Sequence, residues 1–212
     1  MSREPADPLP PERFEEILRR RAPLIGVELE RDRVEPLSRY LAELDLWRRR
    51  VNLTGNLSAE ELTDHTLESL VASDLIAHGE RVVDIGSGAG FPGLPLAIFR
   101  RDLTLALVEP RSKRTAFLRH VLRTLGLSNV TVLKARIEEV GGQTFGVATT
   151  RAVGNYGSWL GKATFLGPSG VLLAWTTDPE KVAAELPGFG LEQVVAIPGS
   201  AKRQIAAFRK RP

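Results

Sequence analysis

Val82-Val83-Asp84-Ile85-Gly86-Ser87-Gly88-Ala89-Gly90-Phe91-Pro92-Gly93 is the stretch on which the fold turns. An apolar run ends in closely spaced glycines, and a second apolar run, Pro95–Phe99, follows. The pattern predicts a strand turning sharply into a helix. Glycines at such a turn let the backbone approach a ligand and aim its amides there, near the helix N-terminus. Two familiar loops do not fit. A P-loop for nucleoside triphosphates would close on Gly-Lys-Ser or Gly-Lys-Thr, and this stretch holds no lysine. A dinucleotide loop would read Gly-x-Gly-x-x-Gly, whereas Phe91 stands where the third glycine belongs.

Outward from this loop, strand-like runs alternate with helical patterns. The strands are expected at Arg81–Ile85, Leu103–Glu109, Val130–Lys134, Phe145–Thr149, Val171–Trp175, Leu191–Ile197 and Gln204–Arg209. Helices are expected at Pro95–Phe99, Arg114–Leu125, Tyr156–Phe165 and Val182–Leu186. Parallel strands need crossover helices, so residues 79–212 read as an α/β domain with a mostly parallel, Rossmann-like sheet of seven strands. The short stretch 198–203, opening on Pro198-Gly199-Ser200 and without a helical pattern, separates the last two runs, which predicts an antiparallel pair at the sheet's end.

Upstream, residues 1–11 carry Pro5, Pro8, Pro10 and Pro11 and read as a flexible tail. Residues 12–78 read as a small helical cap. Phe14, Ile17 and Leu18 mark a helix from Glu12 to Ala22. Val34, Leu37, Leu41, Leu44 and Val51 mark a second, with Tyr40 and Trp47 on its flank. Ser58 and Glu61 have capping-box spacing and open a third, expected to run through Leu62, Leu70, Val71, Leu75 and Ile76.

Composition narrows the class. The 212 residues are 42% hydrophobic and 26% charged, which excludes wholesale disorder. The absence of cysteine excludes disulfide scaffolds, thiol nucleophiles and thiolate metal sites, and fits a cytoplasmic protein. No apolar run reaches the ~20 residues of a membrane span, and the acidic, proline-rich start does not read as a signal peptide. Residues 1–78 hold 11 Lys+Arg against 16 Asp+Glu, and residues 79–212 hold 18 against 10. A basic part of this kind favours a polyanionic partner, although a GC-rich genome would also enrich arginine.

The strand after the loop ends in Glu109, 19 residues beyond Gly90. A carboxylate there can accept both hydrogen bonds of a ribose diol, so loop and carboxylate together point to a nucleoside cofactor. Asp84-x-Gly86-x-Gly88-x-Gly90 resembles the first motif of S-adenosylmethionine-dependent methyltransferases. The longer run from Gly86 through Pro92-Gly93-Leu94-Pro95-Leu96 to Ile98 resembles the small-subunit ribosomal RNA guanine-N7 methyltransferases, the glucose-inhibited division protein B family. Other matches follow in the family's order. They are Val51-Asn52-Leu53-Thr54 after Trp47, His65-x-x-Glu68-Ser69, Lys113-Arg114-x-x-Phe117-Leu118, Ala135-Arg136-Ile137-Glu138-Glu139 and Thr150-Arg151-Ala152.

The resemblance covers about residues 12–210 and implies S-adenosylmethionine as cofactor and small-subunit ribosomal RNA, or its particle, as partner. It implies cofactor contacts at Gly86, Gly88, Gly90 and Phe91, a ribose contact at Glu109, and an adenine-lining pair at Ile137 and Glu138. It places Arg151 on the cofactor near the transfer point and Asn52 on the substrate side. Two positions depart from the pattern. Arg48 stands where the family has asparagine, and Ala174-Trp175-Thr176-Thr177 replaces a lysine and glycine after strand five.

Guanine N7 carries a lone pair and no proton, so transfer to it needs no general base and rests on positioning. That suits a chain with three histidines and no metal-binding pattern. His65 reads equally as a core histidine or a site residue, and His78 and His120 as incidental. RNA-facing candidates are Arg48, Arg49, Arg50, Arg111, Lys113, Arg114, Arg119, Arg123, Arg136, Lys202 and Arg203, and a monomer is expected. A small-molecule methyltransferase, with the cap as a lid, would show salt-insensitive activity instead. A non-catalytic ribosome-binding protein would fit the Thr176-Thr177 departure but leaves the intact glycine loop unexplained. A dehydrogenase ranks last because of Phe91.

Overall fold

Seven helices and seven strands follow one another in a computed structural model that describes residues 7–151, 154, 156–160 and 164–211. The N-terminal segment forms α1 (Pro11–Arg21), α2 (Arg31–Arg48) and α3 (Ala59–Leu70). Then come β1 (Arg81–Ile85), α4 (Gly93–Phe99), β2 (Thr104–Val108), α5 (Ser112–Leu125), β3 (Val130–Leu133) and β4 (Phe145–Arg151). The chain continues with α6 (Tyr156–Leu160), β5 (Leu166–Thr176), α7 (Pro179–Ala184), β6 (Phe189–Ala196) and β7 (Gln204–Lys210). Residues 1–6 of the expected tail and Ala152 of the Thr150-Arg151-Ala152 motif lie outside the described residues.

The sheet order is β3-β2-β1-β4-β5-β7-β6. Strands β1 to β5 run parallel, and β7 is antiparallel to both β5 and β6. The expected antiparallel pair is present, with β7 inserted beside β5 and β6 left at the edge. Both faces are covered, so successive residues serve opposite cores. Val82, Leu105, Leu107 and Leu173 join Phe14, Leu37, Leu94 and Phe117 on one face. Val83, Ala106, Val108 and Leu172 join Trp159, Leu160 and Val182 on the other.

The helices of the N-terminal segment share the first of these cores. The capping box opens α3 as expected, Glu61 N donating to Ser58 Oγ at 3.2 Å and Ser58 N to Glu61 Oε2 at 2.7 Å. Its end differs from expectation: α3 stops at Leu70 and does not continue through Leu75 and Ile76. Arg100, held by Asp102 at 2.7 Å, donates to the carbonyls of Ser73, Ile76 and Ala77, along the short 3-10 turn Ser73–Leu75 that follows α3. Similarly, α2 ends at Arg48 rather than Val51. Asp45, 1% exposed, accepts from Arg48, Arg49 and the Leu9 amide, so residues 7–10 are docked rather than loose. His120, expected to be incidental, bonds Glu43 at 2.8 Å and packs its ring at a tilt against Trp47, tying α5 to α2. Among the described residues no helix is long and apolar enough to cross a membrane.

Candidate functional site

Strand order reverses between β1 and β4, and ligands of such sheets bind outside the carboxyl ends at that crevice. A cleft of about 670 Å³ lies there. Its floor is the loop Gly86–Ala89 with Phe91, Glu109, Arg111, Arg114 and Arg151, and its rim is Asn52–Gly55, Leu57 and His65 from the helical segment. The loop keeps its shape through left-handed glycines. Gly90 has φ +104°, and a Cβ there would stand 2.5 Å from Leu94 Cδ1, so both torsion and space demand glycine. Gly86 and Ser87 amides donate to Val108 O, and Gly88 N donates to Glu109 Oε2 at 3.1 Å. From α2, the buried Tyr40 hydroxyl donates to Ala89 O at 2.9 Å. The Phe91 ring lies edge-on to both Tyr40 and His65.

Glu109 stands at the tip of β2, 3% exposed, with Oε1 accepting from Arg111 N at 2.8 Å. Two amides leave about half of a carboxylate's acceptor sites for a ligand. Asp84, the acidic residue of the same motif, points into the protein. It is fully buried under the loop, with Oδ1 accepting from Thr149 Oγ1 at 2.9 Å and no donor meeting hydrogen-bond geometry at Oδ2. Burial pushes its carboxyl up to about 7, the Ser87 and Thr149 hydroxyls and the Gly93 backbone pulling it back and Glu109 raising it. Asp84 therefore supports the loop from beneath.

At the end of β4, Arg151 lines this cleft and a second one of about 700 Å³. Tyr156, Trp175, Thr176, Thr177, Asp178, Lys181, Glu185, Arg203 and Gln204 line the second. Arg151 is tied to α3: Nη2 donates to Glu68 Oε2 at 2.7 Å and contacts His65 Nδ1. Glu68 Oε1 meets Arg203 Nη1 at 2.7 Å, and Trp175 Nε1 donates to the Glu68 carbonyl at 3.2 Å. Burial pushes the Glu68 carboxyl up, but His65, Arg151 and Arg203 outweigh it and hold it below its ordinary value. Burial lowers the Arg151 guanidinium, with Glu68 opposing.

The rRNA small subunit methyltransferase G family profile matches residues 33–182. The chain belongs to this family. A Roseiflexus castenholzii relative named ribosomal RNA small subunit methyltransferase G is 36% identical over 88% of this chain and 94% of that protein. A Roseiflexus sp. relative of the same name is 45% identical over 60% of this chain, which spans 58% of that protein's length. Among solved structures, an S-adenosylmethionine-dependent methyltransferase from Aquifex aeolicus superposes with a TM-score of 0.56 at 17% identity, over 69% of this chain and 90% of that one. The fold is the Rossmann-like fold of S-adenosylmethionine-dependent methyltransferases.

Against that family's cofactor, the residues present fit. The first cleft has a volume suited to a nucleoside-sized ligand, a backbone cradle and a carboxylate with spare acceptor capacity. Gly86, Gly88, Phe91, Glu109, Arg151 and Asn52 all line it, while Gly90 shapes the loop from behind. Ile137 and Glu138 are not among its lining residues. Ile137 is packed into the second core beside Val108, and Glu138 is exposed on the short turn after β3.

The basic candidates divide. Arg48 and Arg49 are committed to Asp45, and Arg48 also donates to Leu57 O, so the departure at Arg48 closes the end of α2. Arg114 lies 3.9 Å from Glu109 at the cleft. Arg50, Arg111, Lys113, Arg119, Arg123, Arg136 and Lys202 are exposed, while Arg203 is held by Glu68. Arg50 lines a groove of about 490 Å³ with Asn52 and Asn56, adjoining the first cleft. Lys181, which sequence reasoning passed over, lies in the second cleft beside the departing Thr176 and Thr177.

Proposed function

We propose that this chain methylates N7 of a guanine in small-subunit ribosomal RNA, acting as a cytoplasmic monomer. The observation that carries the reading is the pair of clefts sharing Arg151: one built for a nucleoside, the other lined by aromatic, hydroxyl and basic groups. S-adenosylmethionine, when bound, supplies a methyl group on a sulfonium centre. Glu109 would hold its ribose and the Gly86–Ala89 backbone its amino-acid end, with the adenine toward the turn of Ile137 and Glu138 that follows β3, outside the cleft's lining. Segment 12–78 is the cap over this cofactor and residues 79–212 the methyltransferase domain.

The second cleft receives the guanine, which must leave its stack to enter. Tyr156 and Trp175 form part of the cleft's wall, and Gln204 and Thr176 would offer hydrogen bonds to the base's edges. N7 attacks with its own lone pair, so Arg151 and Asn52 act by positioning rather than by taking a proton. Arg50, Arg111, Lys113, Arg119, Arg123, Arg136 and Lys202 would neutralise phosphates around the two openings.

The test is transfer of labelled methyl from S-adenosylmethionine to undermethylated small-subunit RNA and particles across a salt series. Label in RNA that declines steeply with salt is expected. Salt-insensitive transfer to small molecules in place of RNA would overturn the proposal.

A further inference from the structure

The two clefts meet at Arg151, whose guanidinium is held from behind by one carboxylate. Glu68 is 3% exposed, sits on α3 and gives each oxygen to a different guanidinium: Oε2 to Arg151 from the end of β4 and Oε1 to Arg203 from the start of β7, both at 2.7 Å. It lines neither of the two large clefts, so it has no route to a ligand in them. The arginines do: Arg151 lines both and Arg203 the second. Arg151 is also occupied on its other contacts. Its Nη2 also reaches His65 Nδ1, which itself lies 3.3 Å from Glu68 Oε2, and Nη1 approaches the His65 carbonyl at 3.4 Å. These contacts leave Nε and part of Nη1 for the clefts.

A carboxylate shared this way fixes direction as well as charge. Arginine and carboxylate prefer a two-pronged pairing, which would turn the whole fork of Arg151 toward α3. Arg203 occupies Oε1, and Arg151 reaches Glu68 through a single prong at Oε2. We propose that Glu68 is a positioning residue for methyl transfer: with Arg203 as counterweight it holds Arg151 half-engaged, so the free side of the guanidinium faces the junction of the clefts.

The inference rests on the proposed function for its kinetic test but has a readout apart from it. Phenylglyoxal modifies exposed guanidiniums, and its rate at Arg151 and Arg203 can be followed by peptide mass spectrometry in the full chain. Glu68→Gln should raise the rate at Arg151, and Arg203→Gln should lower it, because the second oxygen then completes the fork. These opposite signs are not expected of a residue that merely stabilises the fold. Should Glu68→Gln fail to fold, the Arg203→Gln arm still decides, since Arg203 is 41% exposed. Unchanged Arg151 reactivity in Arg203→Gln, or an increase, overturns the proposal.

In kinetics, Glu68→Gln should cut kcat by about 10- to 100-fold, the scale of a misplaced positioning group. The affinity for S-adenosylmethionine and the KM for RNA should stay within about threefold of wild type. A raised KM with kcat unchanged would overturn it. If the wild type transfers no methyl to RNA, the proposed function fails, and the reactivity signs still decide the clamp.

Discussion

Replacing Asp84 with asparagine should change how stability depends on pH, in a direction the structure dictates. Asp84 is fully buried beneath the glycine loop, and burial pushes its carboxyl from an ordinary 3.8 up to about 7. Between those values the native state keeps a proton that the unfolded chain releases. Stability is therefore greatest below the unfolded value and falls as pH rises toward about 7. From pH 5 upward the window spans about 2 pH units, and at about 1.4 kcal/mol per unit the loss is about 3 kcal/mol. Asparagine has nearly the same shape and carries no charge at any pH. The difference in unfolding free energy between wild type and Asp84→Asn should thus move by about 3 kcal/mol in the variant's favour between pH 5 and pH 8. Urea unfolding followed by tryptophan fluorescence measures it, and contributions from carboxylates that do not interact with Asp84 cancel in the difference. An identical difference at both pH values would refute the reasoning.

Gly90→Ala should cost about 1–3 kcal/mol of stability in backbone strain, and weaken S-adenosylmethionine binding by at least about tenfold as the loop shifts off Leu94. Thermal melts and calorimetric titration would check both. Ser58→Ala removes the acceptor for Glu61 N and should destabilise the protein by about 1 kcal/mol in denaturant melts without changing cofactor affinity. Arg50→Ala, at an exposed groove, should reduce the slope of RNA affinity against salt by about one unit. Arg48→Ala should leave that slope alone and cost about 1–3 kcal/mol of stability, because it strips a partner from buried Asp45. Filter binding across a salt series distinguishes the two arginines.

Strand–helix alternation was legible because both sheet faces are buried, so β1 reads as an apolar run bounded by glycine and its bounds match expectation. Ser58 and Glu61 were legible because a capping box is a contact three residues long. The ends of α2 and α3 were not, because Arg48, Asp45 and Arg100 decide them through partners distant in sequence or through carbonyls that any residue carries. The same holds at the site. Gly86, Gly88 and Glu109 announce themselves by spacing, but Asp84 shares their motif and faces the interior, since alternation along β1 sets its direction. The Glu68 pairing joins residues 83 and 135 positions apart, and the second cleft is assembled from β4, α6, β5, α7 and β7. The His65-x-x-Glu68 spacing was the only signal of that pairing in the sequence, and it did not reveal the partners.

The most direct measurement of the central claim is nucleoside analysis of small-subunit RNA after incubation with the protein and methyl-labelled S-adenosylmethionine. The account predicts label as 7-methylguanosine at one site, reduced by Gly90→Ala at limiting cofactor and sharply reduced by Arg151→Ala. Label on a different atom or base, or full transfer by Arg151→Ala, would contradict it.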